Sequence, residues 1–200
     1  SDAERKQISD HARRSESNSK ITAMLALARG ESGIAVKSDE FDSHPYLLNV
    51  ANGTLNLKTL RFKPVRQPED LLTKQSPFAF NKEAECPRWE EFLHQIFDGD
   101  EELIDFVQRA AGYSLTGDVS ERVMFILPGT GRNGKSTFNE TISYVLGEDY
   151  AAGIPVQSLV TKKNDDGVPN DIARLQGIRF VYSSEGEEQH RLAEAKIKHL

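Results

Sequence analysis

The sequence predicts an α/β protein of two unlike parts, a helical and small-sheet region over residues 1–118 and a parallel-sheet region over 119–200. Three observations predict it. An Asn-Gly pair stands between short apolar runs near residue 52. Two stripes of helical period follow Pro87. A continuous apolar run, Val123 to Leu127, then leads into a glycine-rich loop and a second helical pattern.

Taken in order, residues 2–15 are helix-compatible but mostly charged, which suits a solvated helix. Asn18 or Ser19 can cap a second helix with Ile21, Met24, Leu25 and Ala28 on one face, and Gly30 can end it. Tyr46, Leu47, Leu48 and Val50 lead into Ala51-Asn52-Gly53, after which Leu55 and Leu57 alternate with polar residues. Asn and Gly both accept positive φ, so this reads as a hairpin. Phe62 and Val65 suggest a further short strand, which Pro64 places at an edge. Pro87 suits a first helical position, and Trp89, Phe92, Leu93, Ile96 and Phe97 recur on one helical face. Asp98-Gly99-Asp100 breaks that helix, and Asp100 can cap the next. Leu103, Phe106, Val107, Ala110 and Ala111 form the next stripe, ending near Gly112 or Gly117. Core packing is the expected role of both stripes.

Composition narrows the class. Two hundred residues can bury a core without a disulfide or metal staple. Cys86 is the only cysteine, which excludes an internal disulfide and suits a reducing, cytoplasmic setting. The five histidines show no ligand-like spacing, and no apolar run is long enough to span a membrane. The net charge is −6 and is uneven: residues 81–119 carry 3 basic against 10 acidic side chains, while 1–80 carry 12 against 10. No dense basic tract marks a nucleic-acid surface.

The chemistry lies after residue 122. Val123-Met124-Phe125-Ile126-Leu127 suits a buried parallel strand. Gly129-Thr130-Gly131-Arg132-Asn133-Gly134-Lys135-Ser136 matches G-x-x-x-x-G-K-[ST] in full, and Thr137 to Leu146 reads as a helix ending at Gly147. Glycines let the backbone turn its N–H groups toward an anion, and a helix starting there adds the positive end of its dipole. Lys135 brings an ammonium to the β- and γ-phosphates of ATP, and Ser136 offers a hydroxyl to Mg²⁺. A chance glycine-rich turn is the competing reading, and the flanking strand and helix weigh against it. Such a loop also needs an acid at the end of a neighbouring strand. Arg179 to Ser184 followed by Glu185 fits, with Glu185 polarising water or holding the metal. A surface glutamate in the run Glu185, Glu187, Glu188 is the alternative. Ser184 stands where many such ATPases have an aspartate, which leaves the division of labour at the metal open.

The chain resembles the superfamily 3 helicases of the phage and poxvirus primase–helicase type. The resemblance rests on Cys86 to Leu93, on Gln108 to Gly117, on the loop Gly131 to Thr137, on Ala173 to Val181 with Ser184-Glu185, and on Arg191 to Leu200. Pro45 to Phe80 is similar to the region that precedes the motor. The resemblance implies an AAA+-like nucleotide domain over 119–200 that is incomplete at its C-terminus. It implies ATP and Mg²⁺ as cofactors, with Gly129 to Thr137 holding nucleotide and Lys135 and Glu185 catalytic. It also implies a ring, commonly a hexamer, on single-stranded or forked DNA, with a primase in the same or a partner chain. A different P-loop enzyme (a GTPase or small-molecule kinase) and a nucleotide-binding oligomerisation module are the alternatives. Lys162-Lys163-Asn164-Asp165 has the wrong order for a guanine-reading Asn-Lys-x-Asp.

Overall fold

Charge placement starts the first helix. α1 (Asp2–Ser15) has Asp2 and Glu4 in its first turn and Arg13 and Arg14 in its last, which complements the helix dipole. The computed structural model describes residues 2–129, 131–159, 172 and 174–183. The chain divides into two units, residues 1–41 and 42–200. In the first, α1 buries nothing, as its polarity predicts. α2 (Asn18–Ala28) is capped by Ser17, one residue earlier than expected. The Ser17 hydroxyl donates back to the Arg14 carbonyl at 2.8 Å, so the cap is one of backbone conformation alone.

The second unit holds two small sheets. β1 (Leu47–Val50), β2 (Gly53–Asn56) and β3 (Arg61–Lys63) form an antiparallel meander in that order. The hairpin lies where the Asn-Gly pair places it, with Val50 opposite Gly53. The reason differs from the expected one. Asn52 keeps a negative φ, and its side-chain amide clamps the backbone of Phe80 instead, accepting at 2.8 Å and donating at 2.9 Å. Gly53 is required by a close approach: a Cβ there would collide with the Lys63 carbonyl and sit 3.0 Å from the Phe62 ring. β3 stops at Lys63, and Val65 lies outside it, exposed.

α3 (Pro87–Ile96) and α4 (Glu101–Ser114) follow, and Asp100 caps α4 by accepting from the Leu103 N–H at 3.0 Å. The α3 stripe packs inward as expected, but the α4 stripe is rotated. Ile104 is the buried residue, while Leu103 and Phe106 are 40% and 50% exposed. α3 and Phe138 cover the side of α4 that carries Ile104 and Val107, and sequence periodicity cannot say which edge of a wide stripe a partner covers. Gly112 stays inside α4, which ends at Leu115.

α5 (Lys135–Leu146) runs to Gly147 and leads into β4 (Ala151–Ile154). β5 (Phe180–Ser183) pairs with β4 in parallel, Ala151 opposite Phe180. This two-stranded sheet is the parallel sheet of the described residues. The expected strand at Val123 to Leu127 is not formed, and its side chains are 38–74% exposed. A strand exists only with a hydrogen-bonded partner, and none of the described strands pairs with this run.

Two apolar clusters bind these elements. Leu48, Val50 and Leu55 of the meander meet Leu146, Tyr150 and Ala151 at the far end of α5. Leu93, Ile104 and Phe138 join α3, α4 and the near end of α5, and Ile142 touches both clusters. α5 is thus held along its length, which fixes the loop at its start.

Candidate phosphate-binding site

The loop before α5 is built from left-handed turns. Gly131, Arg132 and Gly134 have φ of 89°, 52° and 83°, respectively. Gly134 is the N-cap of α5 and gives the helix no side-chain cap. The first N–H groups of a helix have no intrahelical carbonyl to bond, so an uncapped start turns them toward whatever acceptor arrives. Nothing lies within 4 Å of a Cβ placed at Gly131, so the loop is open on that side.

Lys135 occupies the first position of α5, and its Nζ donates to the Gly129 carbonyl at 3.1 Å and to Asn133 Oδ1 at 3.0 Å. A cation at the positive end of a helix is electrostatically unfavourable unless an anion joins it. The first turn contains no acidic residue. Asn133 also packs its amide against Gly129, where no Cβ would fit. The Asn133 side chain therefore spans the loop and sets the place of the ammonium. Ser136 and Thr137 follow, both exposed. These residues fit a bound polyphosphate: backbone donors, one ammonium, an adjacent hydroxyl and an open face.

The structure thus brings Gly129, Gly131, Arg132, Asn133, Gly134, Lys135, Ser136 and Thr137 together in one turn. Thr130, Ser184, Glu185, Glu187 and Glu188 lie outside the described residues. β5 leads toward Glu185, but the strand beside it is β4 and not the run before the loop. Among the described residues no cluster of three or more His, Cys, Asp or Glu is grouped to hold a metal ion.

Sequence reasoning missed a polar knot at the end of α5 away from the loop. Tyr150 is 1% exposed, accepts from the Asn49 N–H at 3.2 Å and donates to the Lys74 carbonyl at 3.1 Å. Arg179 stacks on its ring at 4.8 Å and donates to the carbonyls of Leu115 at 2.9 Å and Leu47 at 2.7 Å. Burial pushes the Tyr150 phenol up and draws the Arg179 guanidinium down. Tyr150 lay in no motif, and Arg179 entered only as the first residue of the stretch leading to Glu185, with no role of its own.

Residues 1–98 match the family described as D5 N terminal like. The protein named "Putative helicase 184R" of Invertebrate iridescent virus 6 is 27% identical over 148 residues, covering 72% of this chain and 15% of that protein. A protein named "Putative primase" in African swine fever virus is 25% identical over 166 residues, 80% of this chain and 17% of that one. The chain is similar to the phage- and virus-type primase–helicases. "Putative helicase 121R" of Invertebrate iridescent virus 3 is similar at 27% over 164 residues, again 17% of its length. In this chain the matched segment 1–98 contains the β1–β3 meander and α3. The glycine loop lies beyond that segment, and the chain spans about a sixth of its curated relatives, 15–17% of their lengths. Among the described residues no helix is long and apolar enough to cross a membrane.

Proposed function

We propose that this chain binds ATP–Mg²⁺ through residues 129–137 and is the nucleotide-binding part of a replicative DNA helicase motor. One observation carries the reading: α5 begins at Gly134 without a side-chain cap and with Lys135 at its first position, which puts backbone donors and an ammonium together where a polyphosphate would bind. The names of the viral relatives support the replication context. Mg²⁺ would supply charge neutralisation at the β- and γ-phosphates. Ser136 would offer it an oxygen, and Glu185 would orient and polarise the attacking water or hold the metal through water. In the longer protein the motor would act as a ring, commonly a hexamer, on single-stranded or forked DNA, beside a primase.

The test is calorimetric titration of ATP–Mg²⁺ into wild type and Lys135→Ala. Wild type should bind, and Lys135→Ala should lose at least about tenfold in affinity, about 1.4 kcal/mol. Its thermal unfolding without nucleotide should stay close to wild type, because the Lys135 ammonium bonds to Gly129 and Asn133 of its own loop and is not part of either apolar cluster. Equal affinity in the two proteins would refute the site. Comparing ATP with GTP separates this reading from a GTPase. In the longer protein, Glu185→Gln should keep ATP binding and lower kcat; wild-type turnover would move the role to another residue.

A further inference from the structure

The loop that carries Lys135 is conformationally permissive, with positive φ at Gly129, Gly131, Arg132 and Gly134. Something outside it must hold its shape. The contact is behind the loop, on α3. A Cβ at position 134 would lie 2.6 Å from Ile96 Cγ2 and 3.2 Å from Cε2 and Cζ of the Phe92 ring. Gly134 is thus pressed against two side chains one helical turn apart on α3. The same face grips the helix that follows. Phe138, in the first turn and a half of α5, is 7% exposed, and Trp89 stacks on it with centroids 5.6 Å apart and planes 26° from parallel. The Phe138 N–H donates to the Gly134 carbonyl at 2.9 Å, closing the first bond of α5.

We propose that Ile96 and Phe92 of α3 are positioning residues for nucleotide: they hold Gly134 in its left-handed conformation and so aim Lys135 and the first amides of α5 at the phosphates. The peptide that follows Gly134 carries the Lys135 N–H, and its plane turns with the φ and ψ of Gly134, 83° and −4°. Rotation there swings both the amide and the root of the lysine side chain. A wall of Ile96 and Phe92 against the glycine removes that freedom at no cost to the open face of the loop. α3 lies within the segment 1–98 that matches the D5 N terminal like family, so this contact ties that segment to the loop outside it. The inference rests on the nucleotide reading above and adds to it a role for α3.

The experiment compares binding of Mg²⁺ with a slowly hydrolysed ATP analogue, by calorimetry, with thermal stability of each variant. Ile96→Ala removes Cγ2 and should weaken binding on the order of tenfold, since small misplacements of binding groups cost that much or more. Ile96→Val keeps Cγ2 and should bind as wild type. Leu93→Ala, and the milder Ile104→Val, empty the same core cluster without removing an atom that faces Gly134. They should lower the melting temperature while leaving affinity within about twofold of wild type. Affinity that merely follows melting temperature across the four variants would overturn the positioning role and reduce α3 to scaffold. Wild-type affinity in Ile96→Ala would overturn it also, with the nucleotide reading intact. Failure of wild type itself to bind would overturn the nucleotide reading and this inference together.

Discussion

Tyr150 shows how much one hydroxyl can join. It receives the Asn49 N–H from β1 and gives its proton to the Lys74 carbonyl, so a strand and a loop distant in sequence meet on one buried oxygen. Asn49 strengthens the junction by donating its amide to the same Lys74 carbonyl at 2.8 Å. Removing the hydroxyl leaves the Asn49 N–H without this acceptor in a site water does not reach. We expect Tyr150→Phe to cost about 1–3 kcal/mol in denaturant unfolding. A change below about 0.5 kcal/mol would mean that the Asn49 amide finds another acceptor. Arg179 acts at the same point by another means, with a planar cation that stacks on the phenol ring while its two terminal nitrogens reach two carbonyls. Lysine has one nitrogen and no plane, so it cannot replace these contacts.

At the scale of elements, the meander turns on a glycine and an asparagine with separate tasks. Gly53 is needed because β3 crosses too near for a side chain, at a φ of 152°. Asn52 is needed because its amide closes both ends of the Phe80 peptide segment to the hairpin. Gly53→Ala should therefore destabilise the chain by more than about 1 kcal/mol, through clash with Lys63 as well as backbone strain. Urea denaturation measures it, and a neutral result would mean that β3 moves away without loss. Asn52→Ala should cost about 1 kcal/mol, since two hydrogen bonds are lost but the site is exposed to water. The α3–α4 pair teaches a related lesson. Capping signals located the break between the helices to the residue, while the buried edge of α4 was set by the ring of Phe138 and the face of α3.

The whole molecule has a pH signature of known sign. Burial raises the Tyr150 phenol above its ordinary value of 10.0, so the folded state favours the neutral form. That contribution is fully present below the unfolded pKa of about 10 and is lost as pH rises through the higher folded value. The melting temperature should hold to about pH 9 and fall beyond pH 10, and Tyr150→Phe should show a shallower alkaline fall. Parallel alkaline limbs in the two proteins would remove Tyr150 as the cause. Asp118 works at the other end. The Tyr46 hydroxyl donates to it at 2.6 Å, and this bond, with further bonds from Ser120, holds the carboxyl below its usual 3.8. Its contribution is present above the unfolded value and is lost as pH falls through the folded one, so Tyr46→Phe should flatten the acid limb in thermal melts.

What the sequence determined by itself is local. Pro87 and Gly147 mark helix ends through backbone geometry and Asp100 through its capping carboxylate, and all three stand where expected. The glycine loop and the helix after it were equally legible, because three of its four positive φ values fall on glycine, with Arg132 the exception, and the helix start is written in the next residues. The tertiary structure decided what each surface meets. The apolar run Val123 to Leu127 has strand composition, yet composition does not supply a partner, and no described strand pairs with it. Trp89, Phe92 and Ile96 announced a shared helical face, but only packing placed that face behind Gly134. Tyr150 and Arg179 carried no pattern, since a buried hydroxyl or guanidinium is explained by acceptors far away in the chain. Propensity and capping act over a few residues and are readable there, whereas pairing, burial and polar satisfaction depend on segments that meet only when the chain has folded.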